Sequence, residues 1–151
     1  SPMALFNRIV VETDGSESAA EAVRQAVELA GLTGARLDVV SAYEPVPNRR
    51  VESEVAQAPG DVAHEFGPRE EATFALDSAV GAATAAGIEV TPHAMDGDPA
   101  DAILDVAEKV GADLIMVGNK GMTGARRFLL GSVPNKVSHH SPCSVIIAKT
   151  T

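Results

Sequence analysis

The sequence predicts a doubly wound α/β fold in which five short strands alternate with helices in one domain. Apolar runs rich in β-branched residues, such as residues 9–11 and 145–147, are typical of strands buried in a parallel sheet. Segments whose apolar residues have helical spacing separate these runs. The length of 151 residues is close to the commonest size of a single domain and is sufficient for one core.

Residues 9–11 form the predicted first strand, and a turn and a helix follow it. Either Ser16 or Ser18 can cap this helix. Ser18 has in addition a glutamate, Glu21, at the capping-box spacing. Small apolar residues form one stripe along the helix, and Gly31 and Gly34 end it. The next apolar run then makes a β-α-β unit, whose crossover we expect to be right-handed.

The second predicted strand covers residues 37–42. Residues 44–67 follow, with three prolines, two glycines and neither a helical nor a strand period, so they are predicted to form a long loop. Such a loop is either a lid over a nearby site or a solvated insertion. A helix is predicted over residues 68–86, with Phe74 on its apolar face together with several alanines, and Gly87 ends it.

The third strand is predicted at residues 88–92, and the proline within it favours the edge of the sheet. A helix with Pro99 near its first position follows and closes at Gly111. Residues 114–117 form the fourth strand and residues 145–147 the last. Helices between successive strands should cover both faces of the sheet.

A glycine-rich segment follows the fourth strand and ends where a helical pattern resumes. The run stops at Gly118, and Gly121 and Gly131 precede the helix that begins near Ser132. Glycines let the backbone approach a ligand closely, and the first amides of a helix attract anions. The 38 residues after Asp113 contain basic side chains and no acidic side chain. The segment therefore predicts an anion site.

The pattern Gly118-x2-Gly121-x9-Gly131-Ser132 resembles the nucleotide-binding signature of the universal stress protein family, in its ATP-binding branch. The stretches IVVETDGSESAAEAV and LLGSVPNKV…SPCSVIIAK resemble that family too, so the resemblance covers nearly the whole chain. It implies a Rossmann-like sheet with strand order 3-2-1-4-5. Ligands bind such sheets where the strand order reverses, which here is between strands one and four.

The resemblance also implies which residues bind the nucleotide. Glycines and the start of the last helix hold phosphates, and Asp14 contacts the ribose. The backbone around Thr13 and Ala42 meets the adenine edge. The residues implied in this way are Thr13, Asp14, Ala42, Gly118, Gly121, Gly131, Ser132 and Val133. Of the adjacent Arg126 and Arg127 only one can face the ligand, and we assign Arg127 to the phosphates. Asp14 has a structural alternative, as a turn residue before the helix.

ATP is the implied ligand, and cyclic AMP is the alternative, because the TDGS, SAYEP and LLGSVPNKV stretches also resemble cyclic AMP-binding actinobacterial members. We expect ATP to bind more tightly than cyclic AMP, which lacks a 3′ hydroxyl and a long phosphate chain. The sequence leaves open whether Mg2+ accompanies ATP. It departs from the family at Glu12, where a small or apolar residue is usual, and this carboxylate beside the base can weaken or re-tune binding.

Composition restricts the partners. The net charge of −9 argues against nucleic acid or an anionic membrane as a partner, and no apolar run approaches the ~20 residues of a membrane span. The single cysteine excludes an internal disulfide and fits the cytoplasm. We expect a domain over residues 3–151, with a cloning remnant at residues 1–2. We also expect a homodimer formed through the last strand, together with a regulatory partner that the sequence does not name.

Other functions are weaker interpretations. The sequence has no G-x-x-x-x-G-K-S/T loop, H-E-x-x-H motif or G-x-S-x-G elbow, which favours a regulatory role over fast catalysis. A slow ATPase and a nucleotide-free interaction module remain as alternatives. A metal site at His139, His140 and Cys143 is disfavoured because adjacent helical positions diverge. Cys143 is more simply a small apolar residue at the start of a strand.

Overall fold

A computed structural model describes residues 5–44, 67–119 and 130–150. These residues form one parallel sheet and the helices that cover it. The strands are β1 Arg8–Glu12, β2 Arg36–Tyr43, β3 Val90–Asp96, β4 Leu114–Gly118 and β5 Ser144–Ala148, and the helices are α1 Glu17–Thr33, α2 Pro68–Ala85, α3 Pro99–Val110 and α4 Ser132–His140. The strand order is β3-β2-β1-β4-β5, which confirms the predicted doubly wound fold.

β1 is the centre of the sheet and is buried on both faces. Ile9 and Val11 pack in one core with α1 and α2, whereas Val10 packs in a second core with α3 and α4. All three side chains are fully buried, as the β-branched run predicted. Parallel pairing aligns Val11 with Val39 of β2 and with Met116 of β4, so the carboxyl ends of these strands lie at one edge of the sheet.

The first helix is capped by Ser16, and the alternative cap at Ser18 is wrong. Ser16 has an extended backbone, and its Oγ accepts a hydrogen bond of 3.1 Å from the Ala19 amide. Ser18 lies within the first turn instead. The prediction that Gly31 ends the helix is also wrong, because the helix continues to Thr33 and ends at Gly34, whose φ of +75° closes it in the left-handed conformation.

α2 confirms the predicted second helix, and three alanines of the expected apolar face are buried, but Phe74 is not. Phe74 is 81% exposed, whereas Ala72 and Leu76 are buried together with Ala75, Ala79 and Ala83. Spacing alone could not orient the helix, because its alanines occur on several faces and provide little contrast. The backbone packing of α2 against β2 and β3 selects the face.

β3 is the outermost strand, as predicted from its proline, and its bounds differ from the expected 88–92. It begins at Val90 and continues to Asp96, because β2 is long enough to pair with it as far as Tyr43. Pro92 therefore lies within an edge strand that pairs on one side only, among the described strands.

The helices α3 and α4 pack against the same sheet face and are joined by charges. Asp98 caps α3 by accepting a hydrogen bond of 3.1 Å from the Asp101 amide, with Pro99 in the first turn as predicted. Lys136 of α4 lies 2.8 Å from an Asp101 carboxylate oxygen and 3.4 Å from one of Asp98. These contacts raise the pKa of Lys136, with the Asp101 hydrogen bond as the main cause. The start of α4 is thereby fixed beside the start of α3.

A buried charged cluster interrupts the predicted apolar second strand. Asp38 is 1% exposed, and both of its carboxylate oxygens accept from Arg8 Nη2 at 3.3 Å. His93 Nε2 of β3 lies 3.6 Å away. At the amino ends of β1 and β4, the Asp113 carboxylate accepts from the Asn7 and Arg8 amides at 2.8 and 3.0 Å and so ties these two strands together.

Several predictions fall on residues that the structure does not describe. The loop predicted over residues 44–67 lies, apart from its two end residues, outside the described residues, and so does its assignment as a lid or an insertion. Gly121, Arg126 and Arg127 lie outside them as well. Within the described part of the chain, no helix has the length and apolarity needed to cross a membrane.

Candidate functional site

A small cavity lies where the carboxyl ends of β1 and β4 meet the beginnings of α3 and α4. Its volume is about 100 Å³. Ten of the described residues line it: Glu12, Asp14, Ser18, Ala19, Ala42, Pro99, Val117, Gly118, Val133 and Pro134. Because β2 and β5 lie on opposite outer sides of this strand pair, the cavity is at the point where the strand order reverses.

Four of the residues implied by the sequence line this cavity together: Asp14, Ala42, Gly118 and Val133. Two more adjoin it, because Gly131 caps α4 and Ser132 begins it. The other three implied residues do not line this cavity within the described structure. Thr13 lies outside the cavity, and Gly121 and Arg127 lie outside the described residues.

Thr13 supports the site rather than lining it. It is 3% exposed, and its amide donates to the Val40 carbonyl at 2.8 Å, while its Oγ1 accepts from the Gly15 amide at 3.2 Å. The Thr13 N–H is therefore engaged within the protein. These contacts hold the β1 loop against β2, and the contact of the backbone around Thr13 with an adenine edge stays a prediction.

Asp14 has the turn role that was considered for it, and its contact with a ribose stays a prediction. Its Oδ1 accepts a hydrogen bond of 3.0 Å from the Ser16 amide, which forms a turn just before α1. The side chain is nevertheless exposed and contributes to the cavity lining. A carboxylate has two oxygens and about four acceptor positions, so a turn hydrogen bond leaves capacity for a ligand.

The N-terminus of α4 supplies the opposite side of the cavity. Gly131 at the cap position has a φ of −59° and a ψ of 158°, and as a glycine it has no side chain with which to cap the helix. Asn135 is the first residue whose amide bonds back to the Gly131 carbonyl, and Pro134 has no N–H. The amides of Gly131, Ser132 and Val133 therefore belong to the set that a helix leaves without intrahelical partners. Such amides, with the positive end of the helix dipole, bind anions.

Gly118 leaves space at the end of β4. A Cβ at this position would lie 3.5 Å from Thr150 Oγ1 and 3.7 Å from Ser18 Oγ, which are ordinary contact distances. A small side chain would thus fit the protein but would occupy the surface that lines the cavity. Neither the backbone conformation nor a clash requires glycine here, because the φ of Gly118 is not positive, and its use for close approach of a ligand stays a prediction.

Three polar residues of the site were not identified as such from the sequence. Ser18 was considered only as a helix cap, although it lines the cavity. Asn119 is 7% exposed, and its Oδ1 accepts from both the amide and the hydroxyl of Thr150, at 2.8 and 2.9 Å. The contacts of these residues join the ends of β4 and β5 to the first turn of α1, and no local sequence pattern indicates such pairing.

A larger cavity, of about 580 Å³, lies between α1 and α2 and extends to Thr13, Asp14 and Gly15 at the end of β1. Val23, Val27 and Phe74 are among its lining residues, and it is mainly apolar. Its cationic side chain, Arg24, donates to Glu21 at 2.7 Å and to another α1 carboxylate at 3.1 Å. Size alone would favour this groove, but the smaller cavity combines the ends of β1 and β4, a glycine and the N-terminus of α4, so it is the better candidate for an anionic ligand.

The last part of the chain shows no arrangement for metal binding or cysteine catalysis in the described residues. Nowhere in those ranges do three histidine, cysteine or acidic side chains group to hold a metal ion. Cys143 is half-buried and packs against the second core. Burial is the main cause that raises the pKa of its thiol, which is the environment of a small apolar residue rather than of a nucleophile.

Comparison with known proteins places these features in one family. A model of the universal stress protein family matches residues 5–149. The chain is 32% identical to universal stress protein YxiE of Bacillus subtilis over 148 residues, covering 96% of this chain and 100% of that protein. It is 33% identical to a universal stress protein of Mycobacterium tuberculosis over 149 residues, covering 99% and 100%.

Solved structures give the same result. One is a universal stress protein in complex with cyclic AMP, with a TM-score of 0.70 and 32% identity, covering 97% of this chain and 98% of that chain. Another is a universal stress protein of Archaeoglobus fulgidus in complex with dAMP, with a TM-score of 0.66 and 28% identity, covering 96% and 99%. From the family match and these relatives together, the chain belongs to the universal stress protein family.

Proposed function

We propose that this protein binds an adenine nucleotide in the cavity between the ends of β1 and β4 and acts as a regulatory protein in the stress response. One observation carries the proposal. Two carboxylates, Glu12 and Asp14, line the cavity from the end of β1 and the loop after it, while Gly118 lines it from the end of β4 and Val133 from the first turn of α4. A nucleotide has the matching division, with hydroxyl and amine donors on one part and anionic phosphates on the other.

This division gives the nucleotide a direction. Phosphates are favoured at the amides of Gly131, Ser132 and Val133 and disfavoured near the carboxylates. The ribose then lies near Asp14, whose carboxylate can accept from both hydroxyls of the diol. The base falls on the side of Ala42 and Pro99, which offer apolar surface. The relatives solved with cyclic AMP and with dAMP support an adenine nucleotide as the class of ligand.

ATP is the nucleotide that we propose, either alone or with Mg2+. The cavity is smaller than the roughly 300–1,000 Å³ typical of ligand pockets, so a whole nucleotide must extend beyond it. Extension past Gly118 towards the α4 N-terminus suits a chain of phosphates. ATP also keeps both ribose hydroxyls for Asp14, whereas cyclic AMP has lost the 3′ hydroxyl.

Cyclic AMP is the second candidate, and a specific observation favours it. The relative in complex with cyclic AMP is similar to this chain over nearly its full length. In addition, Glu12 adds a second negative charge to the cavity, and this charge disfavours a triphosphate more than a cyclic monophosphate. The two nucleotides therefore need to be compared directly on the same protein.

We further propose that the protein acts as a homodimer through β5. This strand pairs with β4 on one side, and Ile146 and Ile147 are 37% and 38% exposed on it. An exposed apolar edge strand is a template for pairing with another strand, and a two-fold dimer would cover it. The cytoplasm is the proposed compartment, consistent with the single cysteine.

A competition titration tests the nucleotide proposal. A fluorescent ATP analogue is bound to the purified protein, and ATP, cyclic AMP and GTP are added in turn. The proposal predicts displacement by ATP at the lowest concentration and by GTP at the highest. Displacement by cyclic AMP at a lower concentration than ATP would make cyclic AMP the ligand. Equal displacement by GTP, or no binding of the analogue, would contradict an adenine site.

A further inference from the structure

The hydroxyl of Ser18 lies at the junction between the cavity and a hydrogen-bonded chain of three side chains. Ser18 lines the cavity, and its Oγ is hydrogen-bonded to Thr150 Oγ1. Thr150 in turn bonds to Asn119, which directly follows Gly118. The Asn119 amide donates to the Ala148 carbonyl at 3.0 Å, so the chain is anchored at the ends of β4 and β5.

The direction of each hydrogen bond in this chain can be worked out. The backbone N–H of Thr150 is only a donor and lies 2.8 Å from Asn119 Oδ1, which fixes that atom as the carboxamide oxygen. The Thr150 hydroxyl lies 2.9 Å from the same oxygen, and an oxygen without a proton can only accept. The single proton of the Thr150 hydroxyl is therefore directed to Asn119.

Ser18 must then be the donor to Thr150. A hydroxyl has one proton, and that of Thr150 is already used, so the bond between the two hydroxyls requires the proton of Ser18. Ser18 consequently presents only lone pairs to the cavity. Glu12 and Asp14, when ionised, also only accept. All polar side chains that line this cavity, within the described residues, are then hydrogen-bond acceptors.

We propose that Ser18 is a specificity-determining residue that selects ligands with hydroxyl donors, namely the ribose hydroxyls of the bound nucleotide. This inference rests on the proposed function and deepens it. A serine that donated into the cavity would suit a phosphate oxygen equally well. Because Thr150 accepts its proton, Ser18 favours a hydroxyl and disfavours a phosphate, which reinforces the direction set by the carboxylates and by α4.

The test compares ATP with 2′,3′-dideoxy-ATP, which keeps the base and phosphates but lacks both hydroxyl donors. Affinities for both ligands are measured by calorimetry on the wild type, Ser18→Ala, Thr150→Val and Thr150→Ser. Valine has nearly the shape of threonine without its hydroxyl, and the serine variant restores the hydroxyl. Urea denaturation of each variant reports any loss of stability separately.

We expect the wild type to prefer ATP over the dideoxy ligand by at least tenfold, because Asp14 and Ser18 both lose partners. One neutral hydrogen bond corresponds to roughly a 2- to 13-fold effect. Ser18→Ala should reduce the preference by such a factor. Thr150→Val should reduce it as well, because the released Ser18 proton can turn to the cavity, while Thr150→Ser should retain the wild-type preference.

The ratio of the two affinities is the readout, because a merely structural effect would weaken both ligands alike. A ratio that is unchanged in Ser18→Ala would overturn the role of Ser18, even if Thr150→Val failed to fold. A ratio changed by Ser18→Ala but unaffected by Thr150→Val would overturn the control of its proton by Thr150. A wild type that binds neither ligand would overturn the proposed function itself, and the inference with it.

Discussion

Asp14 provides the sharpest test of how the strand end recognises a nucleotide, because its two roles can be separated by substitution. Asn keeps an oxygen that can accept the 3.0 Å hydrogen bond from the Ser16 amide, but it lacks the charge and one acceptor. Ala removes both roles. Ser16→Ala is the matched control, since it removes the α1 cap without changing the cavity lining.

The magnitudes follow from these contacts. A hydrogen bond to a charged group contributes about 1.5–3 kcal/mol, so losing it weakens ATP binding roughly 10- to 150-fold. Asp14→Asn should lie near the lower limit with unfolding free energy unchanged. Asp14→Ala should weaken ATP binding more than Asp14→Asn does, and it should also lose about 0.5–1.5 kcal/mol of stability because the turn hydrogen bond is removed. Ser16→Ala should lose about 0.5–2 kcal/mol of stability and keep its ATP affinity.

Calorimetry with ATP and urea denaturation measure the two quantities on the same samples. The reasoning is refuted if Asp14→Asn binds ATP as tightly as the wild type, because the carboxylate would then have only its turn role. It is also refuted if Ser16→Ala loses affinity as strongly as Asp14→Asn, because the effect would then come from the fold of the loop.

Four further predictions concern the rest of the molecule. Gly131→Ser should cap α4 with its own hydroxyl, raise the unfolding free energy by a few tenths of a kcal/mol and weaken ATP binding several-fold; tighter binding would contradict the anion site. Ile147→Lys should shift the mass measured by light scattering from dimer to monomer, and a monomeric wild type at micromolar concentration would refute the dimer. Arg8→Ala should cost about 3–5 kcal/mol in urea denaturation because it removes the arginine from a buried carboxylate. Arg36→Ala, at the paired position with an exposed ion pair, should cost about 0–1 kcal/mol, and equal costs would contradict this contrast. The hydrogen bond from the Asp101 amide, with the nearby Lys136, lowers the pKa of Asp98. The stability difference between the wild type and Asp98→Asn should therefore be present at pH 7 and disappear as the pH falls below about 4. A difference independent of pH would argue against a charge effect.

The fold could be predicted from the sequence because its signals are local and repeated. The run at residues 9–11 is β-branched and unbroken, and the structure buries it on both faces. Pro92 indicated an edge strand, and β3 is one. The orientation of α2 could not be predicted, because Phe74 is one large residue among alanines, and the packing of the sheet rather than spacing decides which face is buried.

The candidate site divides in the same way. Gly118 and Ser132 could be found because a glycine after a strand and a helix start are visible in the sequence, and the structure brings them to the same strand ends. The chain from Ser18 through Thr150 to Asn119 could not be found. Its members are 31 and 132 residues apart along the chain and meet only through the pairing of β4 and β5. A hydroxyl can donate or accept, so the sequence does not indicate that Ser18 donates to Thr150 and Thr150 to Asn119.

The central claim is that an adenine nucleotide binds at the β1 and β4 ends, with its phosphates at α4, and an NMR titration tests this most directly. Backbone amide signals of 15N-labelled protein are followed as ATP is added. If ATP binds there, the amide shifts should saturate at one ATP per chain. They should be largest at Gly118, Ser132 and Val133. Shifts concentrated instead at Val27 and Phe74, in the larger groove between α1 and α2, would contradict it, as would a spectrum that ATP does not change.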